Sequence, residues 1–120
     1  DDDDDDEAFQ SAVREAVNSP EKILQALFSV RSASLLQQTA TARHMRARLS
    51  GLLLGLEIAG VRDIAQEQVT LISSGQLAHS YRHALESVGF QCKLIDADEM
   101  VLAGLCHAAG QIWPNLKAER

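Results

Sequence analysis

Apolar residues recur at helical intervals through the first half of the chain and give way to short strand-like runs in the second. Phe9, Val13, Ala16 and Val17 are spaced three and four apart and predict a short helix within 7–17. Ser19-Pro20-Glu21 then reads as a helix start, with a hydroxyl to cap, a proline at the first helical position and an acid facing the macrodipole. Ile23, Leu24, Leu27 and Phe28 follow on one face. The longest periodic stretch, Thr41 to Val61, repeats Met45, Leu49, Leu52, Leu53, Leu56 and Ala59 at helical spacing and predicts a helix buried on most sides. Gly51 and Gly55 inside it each cost about 1 kcal/mol relative to Ala, so packing must offset them. With Ala59 they form a flat ridge that another backbone can approach closely. Such a ridge suits tight helix packing, which the sequence favours, or a crossing point between two lobes.

Val69-Thr70-Leu71-Ile72 is a run of strand formers closed by Ser73-Ser74-Gly75. A helix follows at once, with Leu77, Tyr81, Ala84, Leu85 and Val88 inward and Gly89 as its left-handed end. Phe90 to Ile95 alternates apolar and polar, which predicts a second strand nearer the sheet edge. Asp96 caps a last helix, with Glu99 placed to reach back as in a capping box. Val101, Leu102, Leu105, Cys106, Ala109 and Ile112 make its buried face, and Pro114 ends it. The chain is thus helical over 7–61 and strand-helix-strand-helix over 69–113, with connections suited to right-handed parallel crossovers. The class is α/β. Two strands make no stable open sheet, so this is either a helix-heavy small domain or the tail of a larger protein whose sheet begins upstream.

Composition narrows the function classes. The chain has 120 residues, enough to remove roughly two-thirds of its unfolded surface from water. Its net charge of −6 belongs entirely to the run Asp1–Asp6, which self-repulsion predicts to be disordered as an appended scar, an interaction tail or an exposed loop. Residues 7–120 form the folded unit. That unit is neutral and has no basic block, so it offers nothing to a nucleic-acid backbone. No apolar stretch is long enough for a membrane span, and Cys92 and Cys106 lie in no metal or redox spacing, which points to a reducing, cytoplasmic interior.

The turn after the first strand is the best candidate site, because ligands of open α/β sheets bind beyond the carboxyl ends of strands. Ser73, Ser74, Gly75 and Gln76 lie there. Glycine permits close approach, the hydroxyls can donate, and the first helical amides favour an anion, although a plain strand-to-helix turn would use the same residues. Ser73, Gly75 and Ala78 nearly match a dinucleotide fingerprint, and Asp96 falls about where a ribose-binding acid would, roughly 20 residues on. An NAD-type segment is therefore a rival reading. His79 and His83, four apart, share a polar face and read as solvated; no metal site and no catalytic constellation is assigned.

Phe28-Ser29-Val30-Arg31-Ser32-Ala33, Leu49 to Ala59, Val69 to Ala78, and Asp96-Ala97-Asp98-Glu99 with Val101 to Leu105 together resemble the C-terminal region of the 2-dehydro-3-deoxygalactonokinases. The similarity runs from about Phe9 to about Ala109. These kinases belong to the sugar kinase, actin and heat-shock ATPase superfamily, with two ribonuclease-H-like lobes closing on ATP. The resemblance implies the later part of the second lobe, the glycine ridge as part of the interlobe crossing, and Ser73–Gln76 as adenosine-side contacts, Gly75 foremost. It implies transfer of the ATP γ-phosphoryl group to the 6-hydroxyl of 2-dehydro-3-deoxy-D-galactonate, with Mg²⁺ held through the phosphates. The phosphate-binding start, the catalytic acid and the first lobe lie upstream on this reading, so the 120 residues alone are expected to be inactive. Arg31 matches the family pattern and is taken as structural; a homodimer is an allowed arrangement. A non-catalytic helical interaction module is the third reading.

Overall fold

Two helices pressed together at backbone distance form the centre of the molecule. The computed structural model describes residues 2–36 and 41–115; Asp1 of the acidic run and residues 116–120 of the folded unit lie outside them. In chain order the elements are α1 (Asp2–Asn18), a 3-10 turn (Pro20–Lys22), α2 (Ile23–Leu36), α3 (Ala42–Val61), β1 (Gln68–Ser73), α4 (Gly75–Ser87), β2 (Gln91–Asp96) and α5 (Ala97–Ile112). A Cβ built on Gly51 would strike the Phe9 carbonyl oxygen and come within 2.8 Å of Ala12 Cβ. One on Gly55 would lie 2.6 Å from the Val13 carbonyl oxygen and 2.8 Å from Ala16 Cβ. The glycine ridge is therefore tight packing of α3 on α1 within this chain, and the expected interlobe role for it does not hold.

Two cores flank that contact. Phe9, Val13 and Val17 of α1 join Ile58 of α3 and Ala84 and Leu85 of α4, with Val69, Phe90 and Cys92 packed against them. Ala12 and Ala16 join Leu52 of α3 and Ile23 and Ala26 of α2. The strands pair in parallel, Gln68 opposite Gln91 through Ser73 opposite Asp96, as the short crossover requires. Among the described residues the sheet holds these two strands, β1 beside β2.

Three further expectations change. Asp2–Asp6 are helical, the opening turns of α1, where acids suit the macrodipole. Arg43 bonds Asp2 at 2.6 Å and meets Asp5 at 3.3 Å, His44 lies 3.6 Å from Asp4, and His83 lies 2.7 Å from Asp6. These contacts counter the self-repulsion that predicted disorder, and the Asp2 bond holds the Arg43 guanidinium still more firmly protonated. Ser19 precedes a 3-10 turn with Pro20 first, but its hydroxyl makes no cap; the turn closes through Lys22 N–H donating to the Ser19 carbonyl.

The third change concerns the apolar faces. α5 has no buried residue, and Val101, Leu102, Leu105 and Ile112 are each more than 60% exposed. Leu24 and Phe28 of α2 and Leu53 of α3 are exposed too. The accessible surface is 9052 Å², against about 6,400 Å² for a compact monomer of this mass. The radius of gyration is 19.1 Å, against roughly 14 Å for a compact domain of this length. The helices form as their periodicity dictates, but the layer that would cover α5 is not supplied by the described residues.

Tyr81 of α4 donates to Glu57 of α3 at 2.5 Å, tying the helix between the two strands to the glycine helix. That bond, with burial and the nearby carboxylate, raises the phenol above its usual 10.0. A raised folded value means the contribution to stability is whole below pH 10 and is lost as the pH climbs through the folded value. In a tyrosinate absorbance titration, the component removed by Tyr81→Phe should ionise above pH 10, and Glu57→Gln should bring it back toward 10. Thermal unfolding should show Gly55→Ala destabilising by about 1–3 kcal/mol through overpacking. Gly60→Ala, with open space around it, should instead be neutral or stabilising by up to about 1 kcal/mol.

Candidate functional site

The carboxyl end of β1 delivers its chain directly into α4. Ser73, half-buried, is the last residue of the strand and lies opposite Asp96. Ser74 is extended (φ −136°, ψ 161°) and occupies the cap position, yet its hydroxyl does not bond the helix. Gly75 has φ +62° and is exposed, with nothing within 4 Å of where a Cβ would be. Gln76 is exposed beside it. No side-chain cap bond from Ser74 takes the first amides of α4, which keep the partial positive charge of a helix start. All four predicted residues are thus brought together at one exposed turn.

Packing along α4, from its first turn onward, holds the turn in place. Ala78, Ala84 and Leu85 are buried. The helix ends in a Schellman arrangement, with Gly89 N–H donating to the Glu86 carbonyl and Phe90 N–H to the Leu85 carbonyl, both at 3.1 Å. Gly89 has the expected positive φ of +94°, and Phe90 enters the core before β2 begins.

Between α1 and α4 lies a cleft of about 340 Å³, with Asp5, Asp6 and Phe9 on one side and Gln76, His79 and His83 on the other. His83 is not a solvated residue: it is half-buried, stacked on Phe9 with ring centroids 5.4 Å apart, 2.7 Å from Asp6 and 3.2 Å from Gln10. His79 is exposed. The His83 contacts were missed in the sequence because Gln10 and His83 are 73 residues apart and leave no local pattern. Among the described residues no three His, Cys, Asp or Glu side chains converge as metal ligands. Burial pushes the Cys92 thiol up, with nearby Arg82 opposing and Glu86 adding to the shift. Asp96 accepts from the amides of Asp98 at 2.8 Å and Glu99 at 3.1 Å, so one oxygen of the acid that a dinucleotide reading needs is already committed to capping α5.

The family model described as 2-keto-3-deoxy-galactonokinase matches residues 1–108. Probable 2-dehydro-3-deoxygalactonokinase DgoK1 of Rhizobium meliloti (strain 1021) is 48% identical over 109 residues, which is 89% of this chain and 35% of that protein. The 2-dehydro-3-deoxygalactonokinase of Escherichia coli (strain K12) is 32% identical over 101 residues, 82% of this chain and 34% of that protein. A crystal structure assigned to a 2-dehydro-3-deoxygalactonokinase protein, from Sinorhizobium meliloti, matches with a TM-score of 0.81 and 48% identity over 89% of this chain and 36% of that one. The chain therefore spans about a third of the length of these relatives. On the family match and these identities, it belongs to the 2-keto-3-deoxy-galactonokinases.

Proposed function

We propose that this chain is the later part of the second, ATP-binding lobe of a kinase that transfers the ATP γ-phosphoryl group to the 6-hydroxyl of 2-dehydro-3-deoxy-D-galactonate. Its part in that reaction is to hold the adenosine side of the nucleotide. The observation that carries this is the turn at Gly75, a left-handed glycine with open space before it, at the carboxyl end of a parallel strand and the start of an uncapped helix. A backbone without a Cβ there admits a ligand to close range, and the free amides of α4 favour its negative end. Ser73 and Ser74 would offer hydroxyls, and Gln76 an amide able both to donate and to accept.

Phosphoryl transfer relies on positioning and charge stabilisation more than on covalent help from the protein. Magnesium supplies charge neutralisation at the phosphates when bound, and its ligands belong to the rest of the polypeptide. So do the catalytic base and the first lobe, and on this reading the 120 residues alone do not phosphorylate sugar. The open sheet and the bare face of α5 support the reading, since both call for covering by the ribonuclease-H-like layers of the same protein. A cytoplasmic location goes with it. No helix of the described residues is long and apolar enough to cross a membrane.

Calorimetric titration of the intact protein with ADP tests the turn. Gly75→Ala should weaken ADP binding by about tenfold, since the left-handed backbone costs an L-residue roughly 1–2 kcal/mol and the methyl group occupies the approach. The Michaelis constant for the sugar acid should stay within about twofold, as expected when only nucleotide binding is lost. Unchanged ADP affinity in the variant, or no ADP binding by the parent, would remove the adenosine assignment. A second titration with NAD should show no binding.

A further inference from the structure

The buried face of α4 consists of Ala78, Ala84 and Leu85. Two of these are alanines, whose methyl groups let the helix lie close to its neighbours, and apolar contact of this kind has no preferred direction. Directional bonds must therefore fix the rotation of the helix about its own axis. Tyr81 supplies one to Glu57 of α3. His83 supplies the other, and since a step of two residues turns a helix by about 200°, it does so on the opposite side.

The His83 contact is built from three residues of α1. A carboxylate only accepts, so the His83 Nε2, 2.7 Å from Asp6 Oδ1, is the donor. The second oxygen of Asp6 accepts from the Gln10 amide at 3.0 Å, one turn further along α1. The His83 ring lies on Phe9 with 16° between the planes. Among the described residues the polar contacts from α4 to α1 all pass through His83. Every member of the contact belongs to this chain, so it forms whatever lies over it.

His83 stands on the same face of α4 as the candidate turn. Residues seven apart differ by about 20° in direction, so Gln76 lies nearly in line with His83, about 10 Å along the axis. Both line the cleft that faces Asp5 and Asp6. Between them Ser80 bonds the Gln76 carbonyl of its own helix and His79 is exposed, so neither ties this face to α1.

We propose that His83 is a positioning residue for nucleotide binding: held by Asp6 and Phe9, it sets the rotation of α4 and with it the direction in which Gly75 and Gln76 meet the nucleotide. This rests on the adenosine reading of the turn. The bond acts on orientation, so its loss lowers the fraction of molecules with the turn correctly placed and weakens nucleotide binding by that fraction.

Calorimetric titration of the intact protein with ADP tests it. His83→Phe keeps a ring on Phe9 but loses the bond, and should weaken ADP binding by about three- to fivefold, the most that a partly exposed ion pair contributes. Asp6→Ala should weaken it equally, and the double variant no further, as for two residues acting through one contact. Asp6→Asn keeps an acceptor for His83 and should restore parent affinity. The Michaelis constant for the sugar acid should stay within about twofold in all of them, which a general loss of stability would not give. The sign at Asp6 is decisive, because removing a nearby negative charge would by itself tighten binding of an anion. Tighter binding by Asp6→Ala, additive losses in the double variant, or no rescue by Asp6→Asn overturns the positioning role. Unchanged affinity in His83→Phe beside weakened affinity in Gly75→Ala removes that role and leaves the adenosine reading standing, whereas no effect from either removes both. Should His83→Phe fail to fold, the two Asp6 variants decide, since that side chain is 53% exposed.

Discussion

The close approach of α3 to α1 at Gly51 and Gly55 is the contact on which the rest of the structure depends. At both positions the space a side chain would need is filled by main-chain oxygens of Phe9 and Val13 and by the methyl groups of Ala12 and Ala16. The two helices meet as surfaces of backbone, with little between them that can adjust. Dispersion over such a contact, not helix propensity, justifies two glycines in a helix interior. Because neither face flanking the contact is used up by it, each helix keeps apolar stripes for other partners, and the two cores grow on either side.

The candidate site depends on one of those cores. α4 is held by Ala84 and Leu85 against α1 and α3, by the Tyr81–Glu57 hydrogen bond, and by His83 stacked on Phe9 and paired with Asp6. Its first turn carries none of these restraints and presents Gly75 to open space. Ala78 in that first turn is buried like Ala84 and Leu85 further on, so the helix is packed along its length while Gly75 stays open. The ion pairs around the Asp run are largely exposed and screened by solvent, so they add little to stability.

Much of this architecture was legible because it is written in short-range patterns. Both strands, their parallel pairing, the Asp96 cap and the left-handed Gly89 follow from residues within a few positions of one another. The Ser73–Gln76 turn is where the strand-to-helix punctuation places it. The misreadings share a different origin. Asp2–Asp6 form a helix because Arg43, His44 and His83 arrive from distant segments, and Ser19 lacks its cap because the chain tightens into a 3-10 turn. Val101, Leu102 and Leu105 keep a helical spacing that anticipates a cover, yet they stand exposed.

Periodicity, turn chemistry and capping residues are properties of neighbours along the chain, and from them the residues alone specified five helices, two strands and the position of the exposed turn among the described segments. Which apolar face is covered, and by what, is a property of neighbours in space. The fold put the glycine ridge against α1 and not against another lobe, set His83 between α1 and α4, and left α5 and one face of α2 bare. An amphipathic pattern records that a surface is to be buried but carries no mark of its partner, since hydrophobic burial is non-directional and any matching apolar face satisfies it.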